Sequence, residues 1–324
     1  MQKLLVSLAA ASLALAQAPH VGPVELYGVR KVSEERLRAA IGLQAGDTLP
    51  ASKADIEERV ERVPGVLRGQ VEAVCCTGNA AVLYVGIEER EAPHVEFHPA
   101  PAGAAGLPQP ITAVYGDFVD YFGAEARVGN PTGPAADTYR GTFEHLAQDN
   151  AAALRHVLRE SDEPDERAIA AWVLRYAPVT KEAVADLQYA MLDDDRAVRS
   201  NAMRSLLALA PRAAADPDLG VRIEITWFVE LLNSLDWDDR HEAAEGLVAL
   251  TAGRDPSTLD LLRDRALAAL ADMARWKTPE HAHAAFVLLG RTAGLSEPDI
   301  EAAWNRGDRD AVLKQKAGAK RPRP

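Results

Sequence analysis

The hydrophobic pattern divides the chain into segments of different period. Residues 21–26 form a short β-branched, apolar run ending at Tyr27-Gly28, which predicts a strand. Ser33 then precedes Glu34 and Glu35, and Leu37, Ala40 and Ile41 recur at helical spacing before Gly42. That is an N-cap, two acids where the helix dipole favours them, an apolar stripe and a stop. A second helix is predicted from about Ser52, with Asp55 in capping-box spacing, Ile56, Val60 and Val63 as its apolar face, and Pro64-Gly65 ending it. Residues 66–76 and 80–87 read as two strands around Thr77-Gly78-Asn79, a hairpin signal. The expected order is β-α-α-β-β.

Between Pro93 and Pro134 the chain holds seven Pro and six Gly, the composition of a connector. Inside it, Val114, Phe118, Tyr121 and Phe122 predict one helix over residues 111–126. His94 and His98 are four apart, but the prolines between and after them argue against a helix and for solvated histidines over a metal pair.

From Thr138 onward the pattern is almost wholly helical, and one template recurs: a basic residue, a small residue three on, Leu seven on, and an apolar or small residue ten on. Arg167 goes with Ala170, Leu174 and Ala177; Arg199 with Ala202, Leu206 and Leu209; Arg240 with Ala243, Leu247 and Leu250. His281, with Ala284, Leu288 and Arg291, gives a weaker fourth copy. Partner helices are predicted over 181–192, 221–235 and 259–275. A repeat of this kind cannot bury its apolar face alone, so stacking supplies the core and the terminal copies drift as caps.

Composition adds compartment and excludes some classes. The 324 residues are 48% hydrophobic with a net charge of −12, which rules out wholesale disorder and argues against a nucleic-acid footprint. Lys3 precedes an apolar run over residues 4–16, with Ala14 and Ala16 in A-x-A-like spacing, so residues 1–16 read as an export signal. The run is shorter than the roughly 20 residues a spanning helix needs. Residues 314–324 carry five Lys/Arg and no acid, a basic, disordered tail able to touch an anionic surface. The expected organisation is a signal at 1–16, an α+β module at 19–92, a connector at 93–137, helical repeats at 138–313 and the tail at 314–324, in an exported, periplasmic or secreted protein without a membrane span.

Two resemblances sharpen this. The stretch VELYGVRKVSEERLRAAIGLQAGDTL, then IEERVERVPGV and LYVGIEEREAP, resembles the POTRA (polypeptide-transport-associated) domains, over about 70 residues from Val21 to Pro93. The run DDDRAVRSNAMRSLLAL from Asp193, with Asp193 and Asp195 ahead of Val198-Arg199, resembles HEAT repeats, as does DWDDRHEAAEGLVAL from Asp236 without the Val. The first resemblance implies an extracytoplasmic module that binds partners partly by strand addition. The second implies an armadillo-like solenoid with an extended binding face.

Candidate chemistry is thin. No G-x-S-x-G, phosphate loop or dinucleotide fingerprint occurs. His241-Glu242-Ala243-Ala244-Glu245 is half of an H-E-x-x-H helix without its second His, and His281 and His283 face apart on a helix. The Asp runs at 193–195 and 236–239 lack the Gly and distal Glu of a calcium loop and read as helix caps. Cys75 and Cys76 are adjacent in a strand; a vicinal disulfide, one buried and one exposed thiol, or a cross-link to another chain all remain open. All five tryptophans lie in the helical half, and most are expected in the core. Trp237, in its acidic turn, is the one best placed to be exposed and anchor a partner, with core or cap packing as the alternative. Trp237, Asp238, Asp239 and Arg240 form the expected partner-binding patch. The sequence therefore predicts a non-catalytic exported scaffold binding envelope proteins, with no cofactor or metal. Its rivals are a HEAT-like lyase and a purely structural envelope component.

Overall fold

The structure is a computed structural model describing residues 20–309 and 312, apart from 78–79, 93, 124 and 127–130, and without the side chains of 76 and 77. The expected signal, basic tail and hairpin tip at 78–79 lie outside the described residues. Strands β1 (His20–Tyr27), β2 (Val66–Thr77) and β3 (Ala80–Glu89) form a mixed sheet in the order β1-β3-β2, with β1 parallel and β2 antiparallel to β3. Helices α1 (Glu34–Ile41) and α2 (Ala54–Glu61) connect β1 to β2, which gives the predicted element order. Ser33 caps α1, and Gly42 ends it with φ 66°. The capping box expected for α2 does not form. Lys53 is its N-cap, in helical conformation and without a side-chain hydrogen bond, because the helix starts two residues later than predicted.

The sheet is covered on both sides. On one face Val21, Val24, Val66, Val71, Leu83, Val85 and Ile87 pack against Leu37 and Ile41 of α1 and Ile56 and Val60 of α2. The opposite face presents Tyr27, Val82 and Tyr84, which belong to the same apolar cluster as the helical half. Burial on both faces accounts for the unbroken apolar run of β3, the central strand.

The rest of the described chain is mostly helical. α3 (Gln109–Phe122) is the predicted connector helix, and α4 (Pro134–Glu160) opens the helical half. α5 (Pro164–Val173), α6 (Lys181–Ala190), α7 (Arg196–Ala215), α8 (Thr226–Leu231) and α9 (Trp237–Leu250) follow, then α10 (Pro256–Arg265), α11 (Leu267–Met273), α12 (Pro279–Thr292) and α13 (Glu297–Asn305). The template positions lie inside: Ala170, Leu174, Ala177, Ala202, Leu206, Leu209, Ala243, Leu247, Ala284 and Leu288 are buried, and Leu250 is half-buried against the same core. α5 packs on α7, α7 on α9 and α9 on α12, so the template helices form a row with α4, α6, α8 and α11 behind them. Two partner helices differ from expectation. The segment predicted at 221–235 is helical only over α8, and the one at 259–275 is broken at Ala266 into α10 and α11.

The connector is pinned to the helices. The His98 amide donates to the Leu192 carbonyl (2.7 Å), and its ring stacks on Tyr189 at 4.1 Å. His94 lies beside Glu88 and Glu96 instead, so the two histidines do not converge. Cys75, on edge strand β2, is disulfide-bonded, which removes the thiol reading at that position.

Candidate functional site

The template's basic residues form a ladder across the repeats. Each sits in the first turns of its helix, and each donates back to the carbonyl six residues earlier: Arg167 to Ser161 (3.1 Å), Arg199 to Asp193 (3.0 Å) and Arg240 to Ser234 (2.5 Å). The remaining N–H groups of the first two reach the next repeat. Arg167 forks onto the Asp193 carboxylate at 2.9 and 2.7 Å, and Arg199 binds Asp239 at 2.9 Å and Asp236 at 2.6 Å. Such forked pairs fix orientation as well as charge. Burial opposes the charge of Arg199, but the carboxylates of Asp239 and Asp236 win and hold its pKa above the ordinary value. Burial in turn pushes Asp239 up to about 6, against the pull of Arg199. Asp195 caps α7 as predicted, accepting from the amides of Ala197 and Val198; Asp236 spends its carboxylate on Arg199 and Gln70 instead.

At the third and fourth rungs the partner changes from a carboxylate to the sheet. The Arg240 guanidinium lies over the Tyr27 ring, 4.6 Å from its centroid, and the Tyr27 hydroxyl donates to the Leu235 carbonyl (2.6 Å). His281 meets Tyr84, with 2.7 Å between Nδ1 and the hydroxyl. Tyr84 also stacks on Trp237 (centroids 5.1 Å apart) and packs on Trp276 at 4.7 Å. His241 stacks on the far side of Trp237 at 4.8 Å. Burial lowers the pKa of both histidines. Polar contacts frame this seam: Asp272 accepts from the Gly28 amide (3.1 Å) and pairs with Arg30 (2.7 Å), and Glu25 accepts from the Lys277 amide (2.9 Å).

The expected partner-binding patch is thereby corrected. Trp237 is 6% exposed, because it lies under Tyr84 and not in solvent. Asp239 is held by Arg199 and Ser234, Arg240 is enclosed by Tyr27, and only Asp238 is half-exposed, paired with Arg196 at 3.3 Å. Trp227 is the more exposed tryptophan. His283 packs against Trp304, away from His281 as its spacing predicts. Among the described residues no group of three or more His, Cys, Asp or Glu is placed to hold a metal ion.

Sequence reasoning missed a groove on the other side of the row. Two cavities, of about 580 and 630 Å³, share Trp172 of α5 and Arg204 of α7. The first is walled by Arg140, Arg175 and Arg204 with Phe118 and Tyr176, and contains no acidic side chain in its lining. The second continues across Ile169 and Ser200 to Asp238 and Glu242 of α9, with Tyr115 of α3 along its side. Arg175 lies over the Trp172 ring at 4.8 Å, and burial lowers its pKa to about 10. Trp172 occupies no template position, so the repeat gave no signal for it. Tyr121 of α3 stands beside this aromatic group, 65% exposed. A basic, aromatic wall stands out in a chain of net charge −12.

Comparison of the chain with known protein families finds no family that matches, and no curated protein matches it.

Proposed function

We propose that the chain is a non-catalytic adaptor that holds an acidic, apolar segment of a protein partner in the groove across α5, α7 and α9. The observation that carries this reading is the cluster of Arg140, Arg175 and Arg204 around Trp172, in which Arg140 pairs with the exposed Asp137 (2.8 Å), Arg204 pairs with Glu242, and no acid lines the cavity. Arginine and tryptophan are the side chains that most often anchor protein interfaces, and a row of stacked helices offers a continuous face to an extended segment. The export pattern of residues 1–16 supports a partner in the cell envelope. The POTRA-like and HEAT-like resemblances agree with a binding role for both halves. No described helix is long and apolar enough to cross a membrane.

A photo-cross-linking residue at Ala208, exposed on the groove, tests this in intact cells against a control at Leu219, which does not line it. The expected result is one discrete protein adduct from position 208, absent at 219 and reduced roughly fivefold by Arg140→Glu, the order of one charged contact. Equal adducts at both positions, no adduct at 208, or indifference to Arg140→Glu would overturn the proposal.

A further inference from the structure

The ladder leaves one rung incomplete. Arg240 is 4% exposed, yet of its five N–H groups only Nε–H has a hydrogen-bond acceptor, the Ser234 carbonyl. Its Nη1 is fully buried without a partner. Burial lowers its pKa to about 10, while Asp272 and Asp239 support its charge only from a distance. The Tyr27 face offsets part of the burial. Arg167 and Arg199, at the same template position, place Nη1 on the carbonyl six residues back and turn Nε and Nη2 onto carboxylates, whereas Arg240 spends Nε on the carbonyl and keeps Nη1 without an acceptor.

Arg240 lines a cavity of about 190 Å³ between the sheet and the helices, together with Arg30, Arg68 and His94. The carboxylates in its wall already have arginine partners: Glu88 pairs with Arg68 (2.6 Å), Asp236 shares Arg199 with Asp239 (2.6 and 2.9 Å), and Asp194 shares Arg167 with Asp193 (2.9 and 2.7 Å). Arg30 pairs with Asp272, so among the arginines of the wall the Arg240 guanidinium is the one without a carboxylate partner. A buried cation with a free fork is costly unless paired, and a planar fork matches two oxygens on one edge. We propose that this cavity binds a small oxyanion, a free carboxylate or phosphate, whose oxygens accept from the Nη groups of Arg240 and supply the negative partner that Asp193 and Asp239 supply on the first two rungs. This site is independent of the groove, so either proposal stands without the other.

The full chain is melted in rising inorganic phosphate, and separately in rising acetate, each against chloride at matched ionic strength. Arg240→Met and Arg240→Lys are melted alongside. The expected result is a saturable rise in Tm with at least one oxyanion, absent with chloride, lost in Arg240→Met and weakened at least tenfold in Arg240→Lys. The anion that saturates at lower concentration identifies the source. If Arg240→Met does not fold, nitrogen-15 shifts of the Arg240 side chain in the native protein replace it, and they should move with the same saturation curve. No response above chloride, an equal response in Arg240→Met, or side-chain shifts that stay still would overturn the site.

Discussion

Arg199→Met tests the ladder most directly. The guanidinium is 1% exposed and donates through Nε to both Asp239 oxygens (2.9 and 3.1 Å), through Nη2 to Asp236 (2.6 Å) and through Nη1 to the carbonyls of Asp193 and Asp194 (3.0 Å each). Methionine keeps most of the stem's volume and removes the charge. The Asp239 carboxyl is then left buried with the Ser234 hydroxyl as its remaining hydrogen-bond donor. Removing one member of a buried pair costs about 3–5 kcal/mol. Part of that loss is the proton Asp239 is driven to take at pH 7. It already titrates at about 6 in the native protein, so about one further unit, about 1.4 kcal/mol, is added. The lost bonds to Asp236 and the two carbonyls make up the rest.

Urea unfolding at pH 7 measures the loss, and the signature lies in its pH dependence. In the native protein Asp239 already titrates at about 6; in the variant it titrates higher. The folded variant therefore binds a proton that its unfolded chain does not, and its stability rises as pH falls. The deficit should shrink on going from pH 7 to pH 6. Asp239→Asn in the Arg199→Met background should restore part of the loss, with a coupling of about 2 kcal/mol or more. A loss below about 1 kcal/mol, or a deficit that does not change with pH, would refute the reasoning.

Two further outcomes concern the seam. A Cβ on Gly86 would lie 2.7 Å from the Leu235 carbonyl and 2.7 Å from the Tyr27 ring, so Gly86→Ala should cost about 1–3 kcal/mol by urea unfolding; a change under about 0.5 kcal/mol would mean that the sheet does not press on α9's turn. Burial disfavours the charged form of His241 and His281 in the folded chain, while the unfolded chain takes up protons near pH 6.5. At these two sites the unfolded state binds more protons, which lowers stability as pH drops from 7.5 to 6 against the opposite pull of Asp239. His281→Gln should therefore show the more favourable change over that range than the native protein; identical slopes for the two proteins would exclude His281 from the effect.

The local parts of this fold were legible because they depend on neighbours in sequence. Ser33 and Gly42 bound α1 through contacts within a few residues, and the template fixed which faces of α5, α7, α9 and α12 turn inward. What escaped depends on distance. Trp237 in an acidic turn looks solvated until Tyr84, 153 positions away in the chain, is laid on it. The template's arginines look like surface charges until the carboxylate of the next repeat arrives to meet them. One signal was available: the continuous apolar run of β3 is the pattern of a strand covered on both faces, and it implied that something beyond α1 and α2 packs on the sheet.

The ladder also gives a reason for the drift of the fourth repeat, which its terminal position alone does not. A basic side chain at the template position needs a buried acceptor, and in the first two rungs the next repeat supplies an aspartate. Beyond α9 the sheet occupies that side. Tyr27 meets the third rung with an aromatic face, and Tyr84 meets the fourth with a hydroxyl. A hydroxyl cannot neutralise a guanidinium, but it can hydrogen-bond a neutral imidazole, and His281 stands where an arginine would be left unpaired. Arg240 keeps its charge without a carboxylate, beside a cavity of about 190 Å³. The departures from the repeat thus fall where the two halves of the chain touch, and the docking of the sheet selects them.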